Sequence, residues 1–135
     1  MLLRIKNSQL RQLKDEAYRS NPIEACALLF GKSLKTAYSV KKVVITTNIL
    51  NSIVEFAINP QFVVDELNKA ETEGLDLVGF FHSHPARAYP SIVDLKNMRL
   101  WPNTSWLIFS LTEEQIAAYM IRNNKLEKIE LKTES

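Results

Sequence analysis

The only two histidines of the chain stand one residue apart in His82-Ser83-His84-Pro85, and Ser91 and Asp94 follow within ten residues of the second. In a β-strand, positions two apart point to the same face, so both imidazoles aim at one point. A carboxylate returning at Asp94 can supply a third ligand. Two nitrogens and one oxygen around an open fourth position is the arrangement of a catalytic zinc, whereas structural zinc sites are closed by four protein ligands. The residues therefore read as a zinc hydrolase site. Ser91-Ile92-Val93-Asp94 has a second reading, a capping box in which Asp94 turns back to the Ser91 N–H. The two readings compete for one carboxylate.

A further acid lies upstream. Glu24 stands just before the apolar run Cys26 to Phe30. A glutamate opening a core strand is commonly solvated or ion-paired. In a zinc hydrolase such a residue takes a proton from the metal-activated water, whose pKa falls from about 15.7 to about 7, and returns it to the leaving amine. Other zinc chemistries lack their residues here. One cysteine, Cys26, cannot make the paired-cysteine motif of the deaminases, no H-E-x-x-H helix exists, and two histidines cannot make a three-histidine site. Cys26 itself reads as a small buried core residue rather than a nucleophile.

The elements that must position these residues follow from pattern. Asn7 or Ser8 caps a helix with Leu10, Leu13, Ala17 and Tyr18 on its apolar stripe, ended by Asn21-Pro22. Cys26 to Phe30 reads as a buried strand stopped by Gly31, Val40 to Thr47 as a β-branched strand, and Val54 to Ile58 as a weakly alternating one. Asn59-Pro60 starts a helix that turns Val63, Leu67 and Ala70 inward. Leu77 to Phe81 is an apolar strand that delivers both histidines at its end. Ser91 opens a helix with Leu95 and Met98 inward, ended by Trp101-Pro102, and strands follow at 106–110, 117–121 and 126–131. This order predicts an α/β fold, a mixed β-sheet with helices packed on its faces.

The whole chain sets the frame. At 135 residues and 46% hydrophobic, with neither repeat nor linker, residues 1–135 read as one domain with a core. The net charge of +2 and the absence of a basic patch with interleaved aromatics argue against nucleic acid as partner. A lone cysteine fits a reducing compartment. No apolar run approaches the roughly 20 residues of a membrane helix, and the first residues lack a signal-peptide core. The expectation is a cytoplasmic protein without membrane contact.

At the site residues the chain resembles the JAMM (MPN+) metalloproteases, which include the zinc deubiquitinase of the proteasome lid and prokaryotic relatives. The family pattern of a glutamate, then His-Ser/Thr-His-Pro, then Ser-x-x-Asp falls on Glu24, His82, Ser83, His84, Pro85, Ser91 and Asp94. Glu24 to Gly31 resembles the segment after the family glutamate, and Asn48, Ser52, Phe56 and Pro60 resemble the stretch before the central helix. The likeness covers roughly Glu24 to Ser110. It departs in two places: six residues separate His84 from Ser91, where many eukaryotic members have seven, and Ala27 replaces a frequent glycine.

The resemblance implies a single MPN domain of cytidine-deaminase-like fold, with one Zn2+ held by His82, His84 and Asp94. Glu24 would be the general acid/base. Ser91 would donate a hydrogen bond to the tetrahedral intermediate, and Ser83, on the opposite face, would buttress the site. The implied activity is that of an isopeptidase. It would cleave after the C-terminal glycine of a ubiquitin-like modifier, of the small archaeal kind, joined to a target lysine. An extended tail would add as a strand beside the site. Processing of a sulfur-carrier tail and a non-catalytic scaffold stay open as alternatives, as does pairing into a homodimer through surface helices.

Overall fold

Alternation along the strands gives this protein two apolar faces, and both are covered. The computed structural model describes residues 1–135. The elements run β1 (Leu2–Lys6), α1 (Asn7–Ser20), β2 (Cys26–Ser33), β3 (Ala37–Thr46), α2 (Pro60–Thr72), β4 (Asp76–His84), α3 (Ile92–Leu100), β5 (Ser105–Ser110), β6 (Gln115–Arg122) and β7 (Lys125–Glu134). The strands pair in the order β1-β3-β2-β4-β5-β6-β7, and β1 also pairs with β7, so the sheet closes into a barrel.

The chain is α/β with three helices and a mixed sheet, as its element order predicts, but the sheet closes into a seven-stranded barrel, where the sequence predicts a sheet with helices packed on its faces. The strand that closes it is β1, a segment too short for its pattern to declare a strand. It pairs parallel to β7 from Leu2 to Lys6 and to β3 from Leu2 to Arg4. Its Leu3 and Ile5 are fully buried, so five residues with two apolar positions suffice once both neighbours are present. Residues 54–58 form no strand. β2 does not stop at Gly31 but passes through it, with a register shift between Phe30 and Gly31. A Cβ at Gly31 would overlap the Ser39 carbonyl, which explains glycine in the interior of a strand there. Helix α1 starts one residue earlier than expected: Lys6 is its N-cap and donates its N–H to Gln9 Oε1 at 2.9 Å. Tyr18 lies on the exposed side of α1.

One apolar group joins Leu10, Leu13 and Ala17 of α1 to Leu29, Phe81 and Leu107 of the sheet. The second joins Ala70 of α2 and Met98 of α3 to Leu28, Phe80 and Trp106. Trp106 and Ile108 of β5 thus feed one group and Leu107 and Phe109 the other, as the period of two requires, and Phe80 and Phe81 of β4 divide in the same way. The histidines continue the side of Phe80, beneath α2 and α3. No helix is long and apolar enough to cross a membrane.

Candidate metal centre

Strand β4 carries His82 and His84 on one face, fully buried or nearly so, with their Nε2 atoms 3.1 Å apart. Helix α3 brings the third residue. Asp94 occupies its third position, and with Met98 one turn on it is one of the two buried residues of the helix. Its Oδ2 lies 3.1 Å from His82 Nε2 and 2.9 Å from His84 Nε2. Glu24 arrives from the other side, just ahead of β2, because Cys26 pairs with His82 across the ladder. Its Oε2 is 3.9 Å from His84 Nε2. All five residues singled out from the sequence therefore meet within one site, Ser91 included.

Ser91 and Asp94 combine the two readings that compete in the sequence. Asp94 N donates to Ser91 Oγ at 3.0 Å, and Ser91 N donates to Asp94 Oδ2 at 2.9 Å. The oxygen that completes the capping box is the same oxygen that faces the imidazoles. The Ser91 hydroxyl accepts in this arrangement, which leaves its O–H free to donate. Ser83 points the other way, and its Oγ accepts from Ala25 N at 2.8 Å. Ser83 N also donates to Ala25 O at 3.0 Å, so the histidine strand and the residue after Glu24 are tied together.

Two contacts orient the imidazoles, and the sequence pattern points to neither. His84 Nδ1 lies 3.1 Å from the Arg87 carbonyl. A carbonyl only accepts, so Nδ1 carries the proton and Nε2 presents a lone pair. A backbone acceptor leaves no mark in a sequence. Phe56 stacks on His82 with ring centroids 4.6 Å apart. The resemblance places Phe56 in the segment before α2, but its target lies across the fold.

Charge follows from this geometry. Burial alone would raise the Asp94 carboxyl, but the adjoining His82 and His84 imidazoles outweigh it and hold the group well below the usual carboxylate range. His84 is pulled down by burial, yet Asp94 and Glu24 raise it above the ordinary imidazole value. His82, fully enclosed, is pushed down by burial. Glu24 is pushed up to about 8, chiefly by burial, with the charge of Asp94 adding to the rise. Burial also lifts the Cys26 thiol to about 12, far from a thiolate at neutral pH.

The donor set fits a cation. His84 Nε2, an acceptor in this tautomer, and Asp94 Oδ2 face each other at 2.9 Å, a repulsive arrangement in a buried site unless a positive centre lies between them. Tetrahedral zinc with bonds of about 2.0–2.1 Å to nitrogen and oxygen needs ligand atoms roughly 3.3 Å apart. The observed separations of 2.9–3.1 Å are close to that. Glu24, His82 and His84 also place their donor atoms within 4.8 Å of one another. Of the two carboxylates, Asp94 is nearer to both imidazoles. Buried Glu24 Oε1 has no partner, and neither does His82 Nδ1.

Phe56 also lines an apolar cavity of about 410 Å³, together with Val64, Leu67, Phe80, Trp101 and Trp106 among others. Val64 and Trp101 are exposed on its rim.

Known proteins share much of this sequence and its fold. Residues 6–122 match the family described as prokaryotic homologs of the JAB domain. A desampylase of Pyrococcus furiosus is 39% identical over 116 residues, covering 85% of this chain and 79% of that protein. A desampylase of Haloferax volcanii is 31% identical over 110 residues, covering 78% and 75%. The solution structure of a Desulfitobacterium hafniense protein superposes with a TM-score of 0.85 at 27% identity, over 98% of this chain and 93% of the other. A Salinibacter ruber protein shares the fold, with a TM-score of 0.74 at 22% identity, over 98% and 92%. With the match spanning most of its length, the chain belongs to the prokaryotic JAB-domain family, as a JAMM/MPN member similar to the desampylases.

Proposed function

We propose that this protein is a zinc-dependent isopeptidase that releases a ubiquitin-like modifier from lysine side chains. The observation that carries the reading is the convergence of His82 Nε2, His84 Nε2 and Asp94 Oδ2, with the Glu24 carboxylate 3.9 Å from His84. Similarity to two desampylases supports the substrate class, a small modifier protein joined through its C-terminal glycine. Residues 1–135 act as a single domain in this reading.

His82, His84 and Asp94 would hold the zinc. Bound there, the ion would activate water at neutral pH and polarise the scissile carbonyl. Glu24 takes up a proton at its carboxylate and passes it to the departing lysine amine. The free O–H of Ser91 donates to the scissile oxygen as negative charge gathers on it. Arg87, through its carbonyl, keeps the His84 tautomer in place.

The tail of the modifier cannot add as a strand to β4, because β2 and β5 occupy both of its edges. It must cross the face of the barrel instead. The apolar cavity lined by Phe56 is a seat for an apolar tail residue on that path.

Metal analysis paired with a cleavage assay on a modifier–lysine conjugate tests the reading. The expected result is about one zinc per chain, with cleavage abolished by a chelator and restored by zinc. A protein that takes up no zinc on reconstitution would overturn it.

A further inference from the structure

Glu24 is held at both ends of its own backbone. Its N–H donates to Ser52 O at 2.9 Å, and its carbonyl accepts from Asn48 Nδ2 at 3.2 Å. Asn48 is buried and does more than this. Its Nδ2 also reaches the Glu55 carbonyl at 3.0 Å and the Ser52 carbonyl at 3.4 Å. Its Oδ1 accepts from Leu50 N at 3.1 Å and Ala57 N at 3.2 Å. An amide offers two N–H donors and an oxygen with two lone pairs, and this one is fully engaged. The segment it organises, between β3 and α2, has no helix or strand of its own. That segment carries Phe56 onto His82 and Ser52 onto Glu24.

We propose that Asn48 is a positioning residue, which fixes the Glu24 carboxylate over the histidines and holds Phe56 against His82. The catalytic part of this role rests on the reading of Glu24 as the proton carrier. Aspartate has no donor for the Glu24 carbonyl, alanine has neither group, and glutamine is one methylene too long. Asparagine alone among the natural side chains of this size supplies two donors and an acceptor.

Residue-resolved amide hydrogen exchange on Asn48→Ala tests the hold directly. The Glu24 N–H loses its protection, while the Ala25 N–H, held by Ser83, keeps it. Zinc content stays at the wild-type level. On an isopeptide conjugate, kcat falls on the order of a hundredfold while KM changes little. Asn48→Asp keeps the acceptor towards Leu50 and Ala57, so it retains the turn should the alanine variant fail to fold, and it loses the same protection and turnover. Unchanged exchange at Glu24 in either folded variant would overturn the proposal, as would a wild-type kcat. Lost protection in a protein whose wild type cleaves nothing would overturn the isopeptidase reading alone.

Discussion

At Asp94 one oxygen meets two imidazole nitrogens and the amide that starts its own helix. The sequence held both roles but had no way to combine them, because a capping box is local and an imidazole pair is not. Glu24 was legible for a different reason: its type and place before an apolar run were visible, but its burial was not. Its variants separate binding from turnover. Glu24→Gln is expected to keep zinc and lose about 10²- to 10⁴-fold in kcat, whereas Asp94→Ala loses the zinc as well. Metal content measured beside initial rates distinguishes the two. Glu24 also makes a prediction for the chelated protein. Its folded pKa of about 8 lies above the ordinary 4.5, so the native state holds a proton that the unfolded state has released. Stability from this group is present below about 4.5 and is lost as pH rises through about 8. Asp94 has the opposite sign, its contribution being lost only in acid. In chelator, Glu24→Gln should therefore gain on wild type as pH rises from 5 to 9, read by denaturant unfolding at each pH. An unchanging gap would mean that Glu24 is ionised at pH 5 already.

Helix α3 joins a structural duty to a chemical one, and Ser91 is where they can be separated. Replacing an N-cap serine by alanine costs about 0.5–2 kcal/mol, but replacing it by glycine costs only a few tenths. The hydroxyl is lost in both. Ser91→Ala should therefore unfold at lower temperature than Ser91→Gly, while both lose kcat by about 10²-fold or more if the hydroxyl stabilises charge on the scissile oxygen. A wild-type kcat in both variants, with the difference in stability kept, would place the serine only in the cap. The elements that sequence pattern locates well, α2, α3 and β5 to β7, have strong end signals or long apolar runs. Residues 54–58 make no strand because their weak alternation finds no partner strand, and the Asn48 side chain takes up the backbone groups of Glu55 and Ala57 instead. Backbone satisfaction by a distant side chain is not written in local periodicity.

For the molecule as a whole, closure depends on β1, whose short pattern is decided by its neighbours and not by its own propensity. Leu3 is fully buried between β3 and β7, so Leu3→Ala is expected to cost about 2–5 kcal/mol despite lying near the end of the chain; denaturant unfolding measures the loss. Closure also dictates how substrate must approach. With both edges of β4 paired, main-chain addition at the histidines is blocked, and affinity has to come from surfaces around the site. Phe56, which stacks on His82, also lines an apolar cavity that offers such a surface. Val64 stands exposed on its rim, on the solvent side of α2, so a polar residue there leaves the core intact. If an apolar tail residue seats in this cavity, Val64→Asp removes much of a burial worth about 1.5–3 kcal/mol and raises KM roughly tenfold. Zinc content and kcat should stay at the wild-type level, because α2 contributes no group to the reaction. Steady-state kinetics on one conjugate decides the matter: an unchanged KM would rule this cavity out as the seat and leave Ile49, Leu50, Ile53 and Val54, exposed on the segment whose Ser52 carbonyl holds the Glu24 N–H, as the apolar surface to test.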